Sequence, residues 1–187
     1  MFAKHGLDTP AISMARLSEA LTAAASMKMD ELRRRGHALP GAREALAALA
    51  EDPGVVQSVL TGNVQNVAVV KLASFGLDGY VDFGVGGFGS DDTVRARLVG
   101  VARRKASAKC GVQFDESSTV LVGDTPRDVR ATRDGGARVV AVATGSSMVD
   151  ELSAEGADEV LPSLLNTPAV VEAITRGRRR PGAASRD

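Results

Sequence analysis

Two short stretches hold residue types at spacings that could do chemistry. Gly123-Asp124-Thr125-Pro126-Arg127-Asp128 sets two carboxylates four residues apart. The first closes an apolar run, and the second falls in what Pro126 marks as the first turn of a helix. Carboxylates so placed suit a hard cation such as Mg²⁺, which one or two of them commonly hold together with water and a substrate phosphate. Both acids could instead complement a helix dipole. The metal reading carries more weight, because the next strand offers no other reason for an acid. Thr61-Gly62-Asn63 joins a predicted strand to a predicted helix, where a hydroxyl and free helix N–H groups can hold an anion, typically phosphate. Taken alone, an ordinary N-cap explains it equally well.

Other candidates carry less. His5 and His37 have no acid or cysteine companions at ligand spacing and read as solvated or packing residues. Cys110 follows a helix with no base nearby in sequence and reads as a small buried residue. Gly86-Gly87-Phe88-Gly89 lacks the Lys of a P-loop and the spacing of a dinucleotide fingerprint, so it reads as a turn beside the site. Arg178-Arg179-Arg180 reads as part of a solvated, disordered tail over 177–187.

The elements that must position these groups alternate between Val-rich runs and longer Ala/Arg/Leu segments. Residues 1–37 are helical in character and strand-free, stopping at Arg33-Arg34-Arg35-Gly36. A helix follows from Gly41 to Glu51. Strands are predicted over Val55–Leu60, Tyr80–Val85, Thr119–Val122 and Arg138–Val142, with a short edge strand at Glu159–Leu161. Helices are predicted from Thr61-Gly62-Asn63 to about Phe75, over Thr93–Lys109, from Pro126, over Met148–Glu155 and over Thr167–Arg176. Right-handed crossovers of this length give a parallel sheet covered on both faces, with the site at the carboxyl ends of the strands. Thr61-Gly62-Asn63, Gly86-Gly87-Phe88-Gly89, Gly123-Asp124 and Thr144-Gly145 would then line one crevice.

Composition narrows the function classes. The chain has 187 residues, 44% hydrophobic and 25% charged, which suits one globular α/β domain and excludes a disordered or collagenous chain. Apolar runs such as Val139–Ala143 are far short of the roughly 20 residues of a membrane helix. Lys plus Arg (23) balances Asp plus Glu (23), so no net charge draws the chain to nucleic acid or an anionic membrane. One cysteine excludes an internal disulfide and no signal-peptide layout is present, so a cytoplasmic protein is expected.

The motifs taken together resemble the haloacid dehalogenase (HAD) superfamily, whose members are mostly Mg²⁺-dependent phosphatases. Ser58-Val59-Leu60-Thr61-Gly62-Asn63 looks like its second motif, and Gly123-Asp124-Thr125-Pro126-Arg127-Asp128 looks like its fourth. Leu39-Pro40-Gly41-Ala42 and Lys71-Leu72 through Phe75-Gly76-Leu77 resemble the phosphoglycolate-phosphatase-like branch, and the likeness covers roughly residues 38–165. The resemblance implies a HAD-like Rossmannoid core over 39–176 and part of a helical cap over 1–38. It implies that Thr61, with Gly62 and Asn63, binds the transferring phosphoryl group, and that Asp124 binds Mg²⁺ with Asp128 in support. A small phosphorylated metabolite would be the substrate. Arg95 is the choice for the basic third motif, where the family usually has Lys, with Arg97 and Lys71 as alternatives. An arginine would keep the charge and add a fork for phosphate.

One departure outweighs these matches. The family's first motif is a strand ending in Asp-x-Asp, which supplies the nucleophile and the general acid/base. No Asp-x-Asp occurs in the 187 residues. In the family that strand lies between the strands ending at Thr61 and at Asp124. The expectation is therefore an N-terminally truncated phosphatase, short by about forty residues, with weak or no turnover. A phosphate- and Mg²⁺-binding protein without catalysis, or a structural α/β module, is the alternative. A haloacid dehalogenase would need the same missing Asp but no metal, and Asp124 and Asp128 argue against it.

Overall fold

The computed structural model describes residues 14–177; His5 and the segment 178–187 lie outside them. Along the chain run α1 (Met14–Met27), α2 (Met29–Arg35), α3 (Ala42–Ala50), β1 (Leu60–Thr61), α4 (Gln65–Ser74), β2 (Gly87–Phe88), α5 (Arg95–Cys110), β3 (Val120–Gly123), α6 (Pro126–Asp134), β4 (Arg138–Val142), α7 (Val149–Ala154), β5 (Glu159–Leu161) and α8 (Thr167–Thr175). Every strand pairing is parallel, as the alternation of strands and helices predicts. The strands form two sheets, β1-β2 and β3-β4-β5. No described helix is long and apolar enough to cross a membrane.

The core is built around β4, whose Val139, Val140, Ala141 and Val142 are at most 2% exposed. Successive side chains of a strand face opposite ways, and the packing follows. Val140 meets Ala45 of α3, Leu161 of β5, and Val170 and Ala173 of α8. Val139 and Ala141 meet Val129 of α6 and Leu152 of α7. A strand buried on both faces is read as a continuous apolar run, and Arg138–Val142 has the predicted bounds. The helices entering and leaving this sheet end in glycine: Gly136 (φ +67°) and Gly156 (φ +94°) adopt left-handed backbone after α6 and α7. Ala137 N–H bonds Thr132 O and Ala157 N–H bonds Leu152 O, closing the last turn of each helix. On the other side of the molecule, α1 and α2 pack against α4.

Four local expectations are corrected. The strand predicted over Val55–Leu60 is reduced to Leu60–Thr61, where Ser58 Oγ donates to Asp82 O at 2.6 Å. The strand predicted over Tyr80–Val85 is instead a pair of 3₁₀ turns, Asp78–Tyr80 and Phe83–Val85. Asp82 Oδ1 accepts the Gly84 N–H at 2.9 Å, a local bond that competes with an extended ladder. The strand falls within the predicted turn Gly86-Gly87-Phe88-Gly89, where Gly87 pairs with Leu60 and Phe88 with Thr61. A Cβ on Gly87 would lie 2.6 Å from Leu98 O, so this glycine lets α5 rest on the strand backbone. Cys110 is exposed rather than buried; burial on α5 is confined to Leu98 and Val99, and Cys110 ends the helix.

The turn into β3 is held by Asp115. Its Oδ1 accepts the hydroxyls of Ser118 and Ser117, both at 2.8 Å, and the Ser118 N–H at 2.9 Å. The Ser118 hydroxyl, then that of Ser117, then the Ser118 amide lower its pKa from the ordinary 3.8 to about 2. A carboxylate depressed on folding stabilises the fold above its ordinary value, and this contribution is lost as pH falls from about 4 towards about 2. A carbon-detected NMR titration should place the Asp115 midpoint near 2, and Ser118→Ala should move it towards 3.8. An unmoved midpoint in the variant would contradict the hydroxyl's role.

Candidate functional site

Thr61 ends β1 and turns its hydroxyl inward on the loop. Thr61 Oγ1 accepts Asn63 N–H at 3.2 Å and Asn63 Nδ2 at 3.0 Å, which fixes the loop and leaves the hydroxyl proton to donate elsewhere. The N-cap of α4 is Val64, without a side-chain cap, so Thr61 is not the N-cap that the sequence allowed. Gly62 is exposed, with open space where a Cβ would stand. Asn63 O accepts Gly89 N–H at 2.9 Å, tying the ends of β1 and β2 together.

The second half of the site gathers at β3 and α6. Gly123 has no room for a side chain, since its Cβ would lie 2.6 Å from Asp128 Cβ. Thr125 caps α6: its Oγ1 accepts Asp128 N–H at 3.2 Å and donates to Asp128 Oδ2 at 2.7 Å. Arg95, the first residue of α5, places Nη2 2.6 Å from Asp128 Oδ1, with side-chain exposures of 35% and 18%. Both oxygens of Asp128 are therefore occupied by protein donors. Asp124 lies between β3 and the Thr125 cap, and a Cβ on Gly145, in the loop after β4, would come within 3.0 Å of its Oδ2. Gly145 thus keeps the space against this carboxylate open. The neighbouring Thr144 Oγ1 is buried with no hydrogen-bond partner.

The sequence-predicted residues fall into two contact groups, Thr61 with Asn63 and Arg95 with Asp128, joined by no described bond. Arg97 pairs with Asp92 at 3.8 Å and is 71% exposed, while Lys71 lies exposed in the last turn of α4. Of the three basic candidates, Arg95 alone pairs with a predicted metal residue. His37 is exposed and belongs to no metal-binding cluster among the described residues.

A cation the sequence reading missed is Lys105. Its Nζ donates to Gly86 O at 3.0 Å and to both oxygens of Asp91, at 3.0 and 2.9 Å. Burial would raise the Asp91 pKa, but the Lys105 bond, the Phe88 amide and the Lys105 charge together hold it below its ordinary value. Lys105 lies ten residues beyond Arg95, so only the pairing of β1 with β2 reveals it as a brace for the β2 loop. Among the described residues no three His, Cys, Asp or Glu side chains cluster as a metal cage. Of the two carboxylates, Asp124, beside the space that Gly145 leaves, fits Mg²⁺, which takes one or two carboxylates and leaves the remaining positions to water and phosphate.

Residues 9–133 match the family described as haloacid dehalogenase-like hydrolase. No curated protein matches the chain in sequence. Among solved structures, a conserved haloacid dehalogenase-like protein from Agrobacterium tumefaciens is 20% identical. That match covers 88% of this chain and 71% of the other, at a TM-score of 0.59. A HAD family hydrolase from Deinococcus radiodurans, with bound phosphate and sodium, is 20% identical over 92% of this chain and 72% of its own, at a TM-score of 0.56. A family IA HAD hydrolase from Entamoeba histolytica is 18% identical over 88% and 73%, at a TM-score of 0.59.

Proposed function

Because the chain belongs to the haloacid dehalogenase-like hydrolases, we propose that its site binds the phosphate of a small phosphorylated metabolite beside Mg²⁺, as in a phosphatase. The observation that carries this is the Arg95–Asp128 pair at 2.6 Å. Through this pair α5 and α6 bring a guanidinium and a carboxylate together, which supports reading Arg95 as a phosphate-binding cation beside a metal-supporting acid. The phosphate in the Deinococcus protein supports the ligand class.

Each residue then has a distinct task. Thr61 donates its free hydroxyl proton to a phosphoryl oxygen, and Asn63 holds that hydroxyl in place. The amides at the start of α4, whose N-cap Val64 offers no side-chain cap, would support the same anion. Arg95 offers its guanidinium fork to the equatorial oxygens while Asp128 fixes its direction. Asp124 would hold Mg²⁺ as the main carboxylate and Asp128 would support it. When bound, the ion neutralises charge on the phosphoryl oxygens. Residues 39–176 form the core of this reading, with 1–38 as part of a cap.

The 187 residues contain no Asp-x-Asp, so they bring the binding half of the chemistry without the carboxylate that would form an aspartyl-phosphate. Binding without turnover is therefore the reading for this polypeptide by itself. Thermal unfolding with MgCl₂ and inorganic phosphate tests it. At a hundredfold excess over Kd, a ligand of the native state adds about 2.7 kcal/mol. Both ligands should raise Tm, and Asp124→Ala should abolish the Mg²⁺-dependent part. No shift with either, unchanged in Asp124→Ala, would leave a structural α/β module.

A further inference from the structure

β1 and β2 pair over only two residues each, and among the described residues β2 has no strand on its other side. An isolated two-stranded pair is marginal in water, so something besides the ladder must fix this one. Main-chain groups alternate sides along an extended chain. Gly87 N–H donates to Val59 O at 3.0 Å and Gly89 N–H to Asn63 O at 2.9 Å, both towards β1. Gly86 O and Phe88 N–H turn the other way, and side chains take both. Lys105 Nζ donates to Gly86 O at 3.0 Å, and Asp91 Oδ2 accepts Phe88 N–H at 2.9 Å.

This brace is complete in itself. The Lys105 ammonium has three N–H groups, and Gly86 O with the two Asp91 oxygens gives it three acceptors, at 3.0, 3.0 and 2.9 Å. It keeps no proton for a ligand and is no rival to Arg95 as a phosphate cation. The Lys105 and Asp91 side chains are 33% and 26% exposed, and Nζ lies 5.5 Å from the ring centroid of the buried Phe88. Asp91 N–H returns to Phe88 O at 2.8 Å, so the loop after β2 is closed on the strand it follows.

The braced loop in turn holds Thr61-Gly62-Asn63. Besides the bond from Gly89 N–H to Asn63 O, a Cβ on Gly89 would collide with Gly62 O, so the two backbones are in direct contact. Asn63 then holds Thr61 Oγ1 through its main-chain and side-chain amides. The line of contacts runs from Lys105 through Asp91, Phe88, Gly89 and Asn63 to Thr61, each link a hydrogen bond or a peptide bond. No described bond joins it to Asp124 or Asp128. Resting on the phosphate reading given above, we infer that Lys105 is a positioning residue for a phosphate it never touches. It fixes the β2 loop, and through that loop the direction of the Thr61 hydroxyl, while leaving Mg²⁺ binding alone.

Lys105→Met, Asp91→Asn and the double variant are compared with the parent 187-residue chain. Lys109→Met is the control: Lys109 sits one turn further along α5 and pairs with Asp82, ahead of β2, so a like ion pair is lost from the same helix without touching the β2 loop. Thermal unfolding with inorganic phosphate and, separately, with MgCl₂ reads the two ligands. Amide exchange by NMR reads Gly89 N–H and the Asn63 side chain without ligand. Each single variant should bind phosphate about tenfold more weakly, the loss of one well-aimed hydrogen bond to a charged group. The double variant should be no worse than the singles, because the pair acts as a unit. Exchange at Gly89 and Asn63 should quicken, the Mg²⁺ shift should match the parent, and Lys109→Met should change none of these. Asp91→Asn keeps an oxygen for Phe88 N–H, so it tests the brace should Lys105→Met fail to fold. Unchanged phosphate affinity in the single variants would overturn this inference alone. So would an equal loss in Lys109→Met or a parallel loss of the Mg²⁺ shift, either of which would reduce the effect to general destabilisation. Absence of a phosphate shift in the parent chain would overturn the phosphate reading itself, and this inference with it.

Discussion

The purified 187-residue chain, given p-nitrophenyl phosphate and Mg²⁺, should turn over about once a day per molecule or less. A typical enzyme turns over about 10 times per second. Removing the nucleophile from a covalent mechanism costs on the order of 10⁶ in kcat, which leaves about 10⁻⁵ s⁻¹. In the proposed site Thr61, Arg95 and Asp128 would position and neutralise, but none would be the free carboxylate that an aspartyl-phosphate needs. Asp124 is the one predicted site acid with no described side-chain bond, and the proposal gives it to the metal. Steady hydrolysis near 0.1 s⁻¹, dependent on Mg²⁺ and lost in Asp124→Ala, would overturn this and would require a nucleophile elsewhere in the chain.

The sequence was most informative where local chemistry and burial agree. Arg138–Val142 is an arginine followed by four apolar residues, with Gly136 before it and Gly145 after it, and it became the central strand of its sheet with no change of bounds. Pro126 at the start of α6, capped by Thr125, was equally legible, because a proline in the first turn and a hydroxyl before it have few other uses. The Tyr80–Val85 region was misleading. Its apolar residues alternate as in a strand, but the Asp82 side chain bonds its own turn, and only the position of Gln57 and Val59 shows which backbone needs a partner there. The strand that does form, Gly87–Phe88, is the segment least like a strand by composition. Glycine there is required by the approach of α5, a tertiary constraint with no local signature.

The candidate site was legible by residue type but not by bonding. Spacing marked Asp124 and Asp128 as a pair, yet the structure separates their situations: Asp128 is held by Arg95 and Thr125, and Asp124 faces the space that Gly145 leaves open. Arg95 and Asp128 are 33 positions apart in sequence, so no local pattern could pair them. The packing of α5 on α6 does so. Lys105 was invisible for the same reason, since its partners Gly86 and Asp91 lie on a loop whose course depends on β1 and β2 pairing.

Val140→Asp should cost at least about 4 kcal/mol and leave the chain largely unfolded at 25 °C. Val140 is 0% exposed, on the strand that pairs on both edges, and it packs against Ala45, Leu161, Val170 and Ala173. Burying a valine contributes about 1.5–3 kcal/mol. An unpaired carboxylate in its place adds a desolvation cost of several kcal/mol, or else must be protonated to remain inside. Small domains have only about 5–15 kcal/mol in total, and the split between the two sheets denies this one the burial that a continuous sheet would give. Val122→Asp is the matched control: the same exchange on the adjacent strand, at a residue 47% exposed, should cost less than about 1 kcal/mol. Urea unfolding followed by circular dichroism reads both. Equal losses at the two positions would mean that β3 and β4 are buried alike, which would contradict both the core centred on β4 and the open edge of β3.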